Sequence, residues 1–296
     1  MELCMYRVWK NSMIWVIGGE GMLGQQIKKS LTKSQLEYVS TDIEIDIVNY
    51  ESLISYANNY DSIEWVINCS AYTAVDKAED EEEKAYQING LGVKNIAKAC
   101  KKINAKLIHF STDYVFDGDK EEAYSEDDRT NPVSVYGRTK LVGEEAIAQQ
   151  LESYFIFRIS WLYGVYGNNF VKTMVRLFKE KEILNIVGDQ FGSPTYAATL
   201  SENVIALINK DSCMYGLYHY SDEGKISWYD FAKEIIGLVK DKIKISSVST
   251  DQYPTKARRP KNSTFSKTKV NSLGFRVHPW KDNLEKYFKE VKCLVL

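Results

Sequence analysis

The strongest constraint on the fold is an alternation of short β-branched runs with longer segments of helical period, which fills the first half of the chain. The run MIWVIGG, residues 13–19, predicts a strand that ends in glycine, and a helical period follows it. Four further strands are predicted within residues 36–42, 63–71, 105–116 and 154–160, with helices at 50–60, at 79–104 and from Tyr136. Strands that alternate with helices pair in parallel through right-handed crossovers. The sequence therefore predicts an α/β fold with a doubly wound parallel sheet of the Rossmann type.

This alternation stops after about Trp161. Helical periods cover residues 167–181, 200–210, 228–239 and 280–291, with a short strand predicted at 216–221. We therefore expect a dinucleotide-binding domain over residues 13–160. A smaller C-terminal α+β substrate domain is expected over residues 161–296, with some segments returning to the first domain. Residues 1–12 lack the apolar core of a secretory signal, so we expect a short extension there, with Met13 as an alternative start.

Composition excludes several classes of function. The net charge of −2 disfavours a nucleic-acid surface or a polybasic membrane anchor, and no apolar run approaches the roughly 20 residues that span a bilayer. The five cysteines are scattered, as is typical of reduced thiols in a cytoplasm. His109, His219 and His278 lack metal-ligand spacing and are expected to be packed or surface residues. We expect a cytoplasmic protein without a nucleic-acid partner, a membrane partner or a structural metal.

The first strand runs into GGEGMLG, residues 18–24, which has the spacing of a dinucleotide-binding turn. Gly18 would allow the tight turn, Gly21 the approach of a pyrophosphate, and Gly24 the close packing of helix on strand. The helix N-terminus would offer free N–H groups to phosphate. Asp42 ends the second predicted strand, where a carboxylate binds the adenosine ribose and repels a 2′-phosphate. The alternative for Asp42 is a turn residue.

A second feature is the pair Tyr136 and Lys140 in SVYGRTK, which a helix would place on one face. A nearby ammonium lowers the pKa of a phenol, which would make Tyr136 a better proton donor to a ketone oxygen. The pair could instead be two solvated neighbours. Ser111 and Thr112, at the end of the preceding strand, would add hydroxyls at the sheet edge where open α/β folds bind ligands.

Taken together, these motifs resemble the dTDP-4-dehydrorhamnose reductase family of extended short-chain dehydrogenases/reductases. The resemblance covers nearly the whole chain, from about Met13 to the tail PWKDNLEKYF, and STDYVFDG with DQFGSPT is its most specific part. The motifs that carry it are GGEGMLG, NCSAYTAVDKAE, INGLGVKN, STDYVFDG, YGRTK, RISWLYG and DQFGSPT.

The resemblance implies NADH or NADPH as cofactor and a dTDP-sugar as substrate. Its catalytic residues would be Tyr136 as acid, Lys140 as the group that tunes Tyr136 and holds the nicotinamide ribose, Thr112 on the C4 oxygen, and Asn89. Asn89 is also open to a role in a helix kink. The residues that would line the cofactor are Gly18, Gly21, Met22, Leu23, Gly24, Asp42, Asp46, Ile47, Ala71, Tyr72, Thr73, Phe110, Tyr136 and Lys140.

On the substrate side, the resemblance implies contacts from Thr112, Asp113 and Trp161, although Trp161 could equally be a core residue. Arg259, in the basic stretch KARRPKNS, could bind the diphosphate or lie in a solvated loop. Two positions depart from the family pattern: Glu20 where a neutral residue is usual, and Ser70 where a small apolar residue is typical. Some family members use Mg²⁺ at a dimer contact. That motif has no match here, so metal use and the choice between monomer and homodimer stay open.

The expected reaction is reduction of the 4-keto group of dTDP-4-dehydro-6-deoxy-L-mannose to dTDP-L-rhamnose, the last step of dTDP-rhamnose synthesis. A related nucleotide-sugar 4-ketoreductase or epimerase is the first alternative. A non-catalytic dinucleotide-binding subunit, such as the regulatory subunit of methionine adenosyltransferase, is the second.

Overall fold

The computed structural model of the chain describes residues 13–240 and 242–295, so the predicted extension at residues 1–12 lies outside the described residues. In chain order the strands are β1 Met13–Ile17, β2 Tyr38–Thr41, β3 Ile63–Asn68, β4 Lys106–Thr112, β5 Tyr154–Ile159, β6 Leu162–Tyr163, β7 Ile183–Val187, β8 Phe191–Gly192, β9 Thr195–Tyr196, β10 Gly216–Tyr220, β11 Ile226–Ser227 and β12 Lys244–Val248.

The helices surround these strands. In chain order they are α1 Met22–Lys33, α2 Tyr50–Ala57, α3 Val75–Ala78, α4 Glu82–Tyr86, α5 Val93–Ile103, α6 Val135–Gln150, α7 Phe170–Glu180, α8 Ala197–Asn209, α9 Trp228–Val239, α10 Thr268–Ser272 and α11 Trp280–Val295. A π-helical turn over Gln87–Gly92 joins α4 to α5, and 3₁₀ turns lie at Asp113–Val115 and Thr250–Gln252. The continuous helix predicted at 79–104 is therefore wrong in two respects, because it begins at Glu82 and is interrupted by the π turn.

A six-stranded parallel sheet forms the centre, in the order β10-β5-β4-β3-β1-β2. This arrangement confirms the predicted doubly wound sheet. The chain leaves β1 toward β2 on one side and returns to β3 on the other, so the order reverses between β1 and β3. In open α/β sheets the crevice at the carboxyl ends of such strands is where ligands bind.

Two apolar layers cover the sheet. Trp65 and Phe155 belong to the layer on the α1 and α8 side, and Trp15 and Ile156 to the layer that packs under α2 and α5. Strands with buried residues on both faces are expected of a parallel sheet whose crossovers carry helices. None of the helices in the described ranges is both long and apolar enough to span a bilayer.

The chain beyond residue 161 contributes to two places. β10 pairs with β5 at the edge of the central sheet, and α8 packs in the same apolar cluster as α1. Helices α7, α9 and α11 enclose a separate aromatic cluster, in which Tyr163, Phe231 and Tyr287 are buried. Strands β7 and β12 flank this cluster as a small parallel pair. This second cluster forms one wall of the site described next.

Candidate active site

The turn between β1 and α1 has a backbone shape that a dinucleotide phosphate fits. Gly18 has a φ of +76°, in the left-handed region, and a Cβ at Gly24 would lie 2.2 Å from the carbonyl oxygen of Gly18. Gly21 is the N-cap of α1 and has no side chain to occupy the free N–H groups of the first turn. These N–H groups and the helix dipole favour an anion at this position.

Met22 and Leu23 begin α1, where the resemblance places the pyrophosphate. Leu23 is buried in the apolar core, so only its backbone is available to a phosphate. Met22 packs against a second glycine-containing segment, because a Cβ at Gly167 would lie 3.2 Å from the Met22 Cβ. The side chain of Met22 therefore lies at the contact between the glycine turn and the segment after β6.

A cavity of about 380 Å³ opens beside this turn, between the ends of β1, β2 and β3. It brings together six of the predicted cofactor residues, which are Gly18, Gly21, Asp42, Asp46, Ile47 and Ala71. Ile43, which is almost fully exposed, lies at its edge. The cavity therefore combines a glycine turn with acidic and apolar walls, features that suit a phosphate, a ribose and an adenine.

The carboxylate of Asp42 is held in place by backbone donors. The N–H of Glu20 donates to Asp42 Oδ2 at 2.8 Å, and the N–H of Ile43 donates to Oδ1 at 3.0 Å. The side chain of Glu20 is 69% exposed and forms an ion pair with Lys28 at 2.5 Å. The extra acid in the glycine turn is therefore partly neutralised and lies at the solvent side.

Asn89 lies in the π turn and is fully buried. Its Oδ1 accepts the backbone N–H of Tyr72 at 2.9 Å, and its Nδ2 donates to the Tyr72 carbonyl and to Thr139 Oγ1, both at 3.1 Å. Thr73, the next residue, is exposed. Through these hydrogen bonds Asn89 ties the segment after β3 to α6, and it lies within the helix irregularity itself.

Thr112 and Asp113 lie at the end of β4, where the strand passes into a 3₁₀ turn. Thr112 caps this turn, because its Oγ1 accepts the Tyr114 N–H at 3.2 Å, and the same hydroxyl donates to Asp113 Oδ1 at 3.1 Å. Both side chains are buried. Burial raises the pKa of Asp113 to about 6.

Helix α6 approaches this turn closely enough to bring a phenol beside the Thr112 hydroxyl. Ser134 caps α6, and a Cβ at Gly137 would lie 2.1 Å from the Tyr114 carbonyl oxygen, so only glycine permits the approach. The rings of Tyr114 and Tyr136 pack edge to face at 5.6 Å. The Thr112 hydroxyl lies near that of Tyr136, because it lowers the Tyr136 pKa against the effect of burial.

The pKa of Tyr136 is raised in this structure, whereas the sequence predicted a net lowering. Burial raises the pKa of Tyr136 to about 12, and the hydrogen bond with Thr112 only partly opposes this. Lys140 is 2% exposed, and its Nζ donates to the carbonyl oxygen of Phe110 at 2.7 Å. The helical spacing places the two residues on one face, as predicted, but the amine of Lys140 is hydrogen-bonded to the backbone of β4.

Trp161 lies on the side of the second cluster. It has a φ of +47° and stacks on Trp228 at 3.5 Å between ring centroids, with 9° between the planes. A cavity of about 270 Å³ next to this pair is lined by Phe170, Trp228, Gln190 and Arg259, among others. Sequence reasoning missed Phe170 and Trp228, whereas Gln190 belongs to the motif DQFGSPT.

Arg259 lies between this second cavity and the Tyr114–Tyr136 pair. Its guanidinium donates two hydrogen bonds to Asp76, at 2.9 and 3.1 Å. Burial raises the pKa of Tyr114, and the charge of Arg259 partly opposes this effect. The hydrogen bond from Arg259 lowers the pKa of Asp76. Lys256 is paired with Asp80. The basic stretch therefore has acidic partners, and Arg259 still lines the cavity with part of its side chain.

Within residues 13–240 and 242–295, no group of three or more His, Cys, Asp and Glu side chains is arranged to hold a metal ion.

Comparison with known proteins assigns the chain to a family. Residues 12–293 match the family model described as the RmlD substrate binding domain. A dTDP-4-dehydrorhamnose reductase of Aggregatibacter actinomycetemcomitans is 38% identical over 283 residues, covering 91% of this chain and 96% of the relative. The spore coat polysaccharide biosynthesis protein SpsK of Bacillus subtilis is 36% identical, with 94% and 97% covered. The crystal structure of dTDP-4-dehydrorhamnose reductase from Bacillus anthracis in complex with NADP superposes with a TM-score of 0.91 at 40% identity, covering 95% of this chain and all of that one.

Proposed function

Because the chain belongs to the family of the RmlD substrate binding domain, we propose that it is a dTDP-4-dehydrorhamnose reductase that uses NADH or NADPH. It reduces the 4-keto group of dTDP-4-dehydro-6-deoxy-L-mannose to give dTDP-L-rhamnose. The observation that carries the proposal is the convergence of the Thr112 and Tyr136 hydroxyls at the sheet edge, with Lys140 on the same helix.

The chemistry divides between the cofactor and the chain's own residues. The nicotinamide, when bound, supplies the hydride for the carbonyl carbon. Tyr136 donates its phenolic proton to the carbonyl oxygen, and the Thr112 hydroxyl hydrogen-bonds the same oxygen. The raised pKa keeps Tyr136 protonated at neutral pH, as a general acid requires. Lys140 stabilises the phenolate that proton donation leaves behind.

The two cavities suggest where the two ligands lie. The cavity beside the glycine turn suits the dinucleotide, with its pyrophosphate on the N-terminus of α1. The cavity lined by Phe170, Trp228 and Arg259 offers aromatic faces and a guanidinium, which suit the base and diphosphate of the sugar nucleotide. Residues 13–160 would thus supply most of the cofactor site and residues 161–296 most of the substrate site.

For the cofactor, we place NADH ahead of NADPH. Asp42 lines the cavity with its carboxylate fixed by two backbone donors, and a fixed negative charge there repels a 2′-phosphate. The relative from Bacillus anthracis was crystallised with NADP, so use of both cofactors with unequal efficiency is the expected result.

The cellular setting follows from the same chemistry. Cys69, Cys100, Cys213 and Cys293 are free thiols, which is typical of a reducing compartment such as the cytoplasm. A monomer and a homodimer both remain compatible with one complete site in each chain.

The experiment is a coupled assay in which purified protein receives NADH and the freshly generated 4-keto sugar nucleotide. We expect oxidation of NADH that depends on the sugar, and a product whose NMR spectrum is that of dTDP-L-rhamnose. In parallel, the same protein is given other 4-keto nucleotide sugars. A preference of at least about tenfold for another sugar would favour the related ketoreductase. Absence of NADH oxidation with every sugar would favour the non-catalytic dinucleotide-binding subunit.

A further inference from the structure

A buried chain of polar side chains connects the wall of the cofactor cavity to Lys140. Its members are Ser70 and Asn68, which follow and end β3, His109 in the middle of β4, and Lys140 on α6. Ser70 lines the cavity, whereas Asn68 and His109 are 1% and 0% exposed. The sequence predicted only a packed or surface histidine at His109 and marked Ser70 as a departure from the family pattern.

The orientation of the Asn68 amide is fixed by a backbone N–H, a group that can donate a hydrogen bond but cannot accept one. The backbone N–H of Ser70 donates to one amide atom of Asn68 at 3.0 Å, and the Ser70 hydroxyl donates to the same atom at 2.6 Å. A backbone N–H can only donate, so this atom is the oxygen Oδ1. The amide nitrogen Nδ2 must therefore face the other way, toward His109.

This orientation selects one tautomer of His109. Asn68 Nδ2 lies 3.0 Å from His109 Nδ1, and because an amide nitrogen can only donate, Nδ1 must accept. The neutral imidazole then carries its proton on Nε2. Burial and the charge of Lys140 lower the pKa of His109 well below its usual value, so the ring stays neutral.

The protonated Nε2 faces the amine of Lys140 at 3.5 Å. This distance exceeds that of a full N–H hydrogen bond, so the imidazole acts mainly through the direction of its N–H dipole. A neutral amine has a lone pair that can accept from this N–H, whereas an ammonium has only donors and meets a donor there. The second contact of Nζ, its donation to the Phe110 carbonyl, is open to both forms.

We infer that His109 is a positioning residue for Lys140: Asn68 holds the imidazole with its proton on Nε2, and that N–H favours the neutral amine over the ammonium. The inference rests on the proposed function, in which Lys140 stabilises the Tyr136 phenolate. When His109 lowers the cost of losing this proton, the Lys140 ammonium can pass its proton to that phenolate after each turnover, which restores the neutral tyrosine; the resulting amine then takes up a proton from water.

The other charged and titratable groups near Lys140 act in the opposite direction. Burial lowers the pKa of Lys140 to about 8, and Glu144 on α6 and Cys69, the residue after β3, partly oppose this effect. Glu144 is itself paired with Arg158 at 2.7 Å, which limits its effect on the amine. Tyr136, on the same helix, is protonated at neutral pH. His109 thus adds to burial in holding the Lys140 pKa near the working range.

The test is a double-mutant cycle read out by the pH dependence of kcat. In Asn68→Asp the new carboxylate accepts from Nδ1, so the imidazole turns its Nε2 lone pair toward Lys140 and stabilises the ammonium. The pH at which kcat falls on the alkaline side should then rise by about one unit. In the His109→Phe background, the Asn68→Asp substitution should raise this pH by much less. Equal movement in both backgrounds would mean that the carboxylate acts on Lys140 directly, and no movement in either would mean no coupling; both results overturn the inference.

A second measurement needs neither activity nor a stable Asn68 variant. In protein with ¹⁵N-labelled histidine, the imidazole shifts report the tautomer, and His109→Phe assigns the signal among the three histidines. We expect the Nε2–H form of His109 at every pH at which the protein is folded. The Nδ1–H form or an imidazolium at neutral pH would overturn the inference. Because this readout is independent of turnover, an inactive wild-type protein would count against the proposed function alone.

Discussion

Single side chains set the chemistry of this site at two points, the end of β2 and the start of α6. At the first, Asp42 presents a carboxylate whose position two backbone N–H groups fix. At the second, Tyr136 is surrounded closely enough that its pKa rises to about 12. We propose that the first residue affects which cofactor binds and that the second keeps a proton available for the substrate at neutral pH. Each can therefore be tested by one substitution.

At Asp42, the substitution Asp42→Ala removes the charge that opposes a 2′-phosphate. We expect the ratio of kcat/KM for NADPH to that for NADH to rise about tenfold, which corresponds to about 1.4 kcal/mol of relieved repulsion. The matched control is Glu20→Ala, since that carboxylate is exposed and paired with Lys28. Steady-state kinetics with both cofactors measure the ratio. An unchanged ratio in Asp42→Ala, or an equal rise in Glu20→Ala, would contradict the assignment.

At the scale of elements, the site depends on how closely α6 packs on its neighbours. A Cβ at Gly143 would lie 2.4 Å from the Asn89 carbonyl oxygen, just as Gly137 permits contact with the turn after β4. The π turn places Asn89 where its amide joins the Tyr72 backbone to Thr139 of α6. The irregular helix therefore connects the cofactor wall to the helix that carries Tyr136 and Lys140.

Removal of this amide tests the connection. In Asn89→Ala the buried N–H and carbonyl of Tyr72 lose their partner, so we expect the free energy of unfolding to fall by about 2 kcal/mol. Lys94→Ala, an exposed position on the following helix, should change it by less than about 0.5 kcal/mol. Urea denaturation measures both. A loss in Asn89→Ala no larger than in the control would show that water replaces the amide without cost.

At the scale of the whole molecule, ion pairs fasten the loop near residue 259 to the segment after β3. Arg259 is paired with Asp76 and Lys256 with Asp80, which joins the two halves of the chain beside the second cavity. The Arg259 pair lies partly buried, and that of Lys256 is largely exposed. Only the first is expected to contribute measurably to stability.

The pH dependence of stability tests the Arg259–Asp76 pair. Because the folded protein lowers the pKa of Asp76 below its unfolded value of about 3.8, the stabilisation is complete above that value and is lost as the pH falls through the folded pKa. Asp76→Asn should therefore unfold more easily than wild type by up to about 1 kcal/mol at pH near 7, and the difference should shrink below pH about 4. Asp80→Asn should show a smaller difference at every pH. A difference for Asp76→Asn that is constant with pH would exclude the pair as its cause.

Much of the fold could be predicted, because the alternation of strand and helix is a local property of the sequence. The strands of the first half and the glycine turn lie where the periodicity and Gly18, Gly21 and Gly24 predict them. The place of residues 216–220 at the edge of the central sheet could not be read from local pattern, since pairing with β5 depends on the path of the whole second half.

The candidate site was predictable to a similar extent. Motif spacing indicated Asp42, Thr112 and Tyr136, and the structure places them at the carboxyl edge of one sheet. Spacing could not show that the long side chain of Lys140 reaches under the sheet to Phe110 and His109, nor that burial dominates the pKa of Tyr136. Phe170 and Trp228 were missed because tertiary packing alone brings them beside Arg259. The roles of these residues and the domain boundary stay predictions.

The central claim is that Tyr136 donates the proton to the keto sugar, and Tyr136→Phe tests it most directly. NADH oxidation with dTDP-4-dehydro-6-deoxy-L-mannose is measured for wild type and variant, and NADH binding is measured by fluorescence titration on the same samples. We predict that the variant binds NADH with an unchanged Kd and that its kcat falls about a thousandfold. Turnover at the wild-type rate in a variant that binds NADH normally would contradict the account.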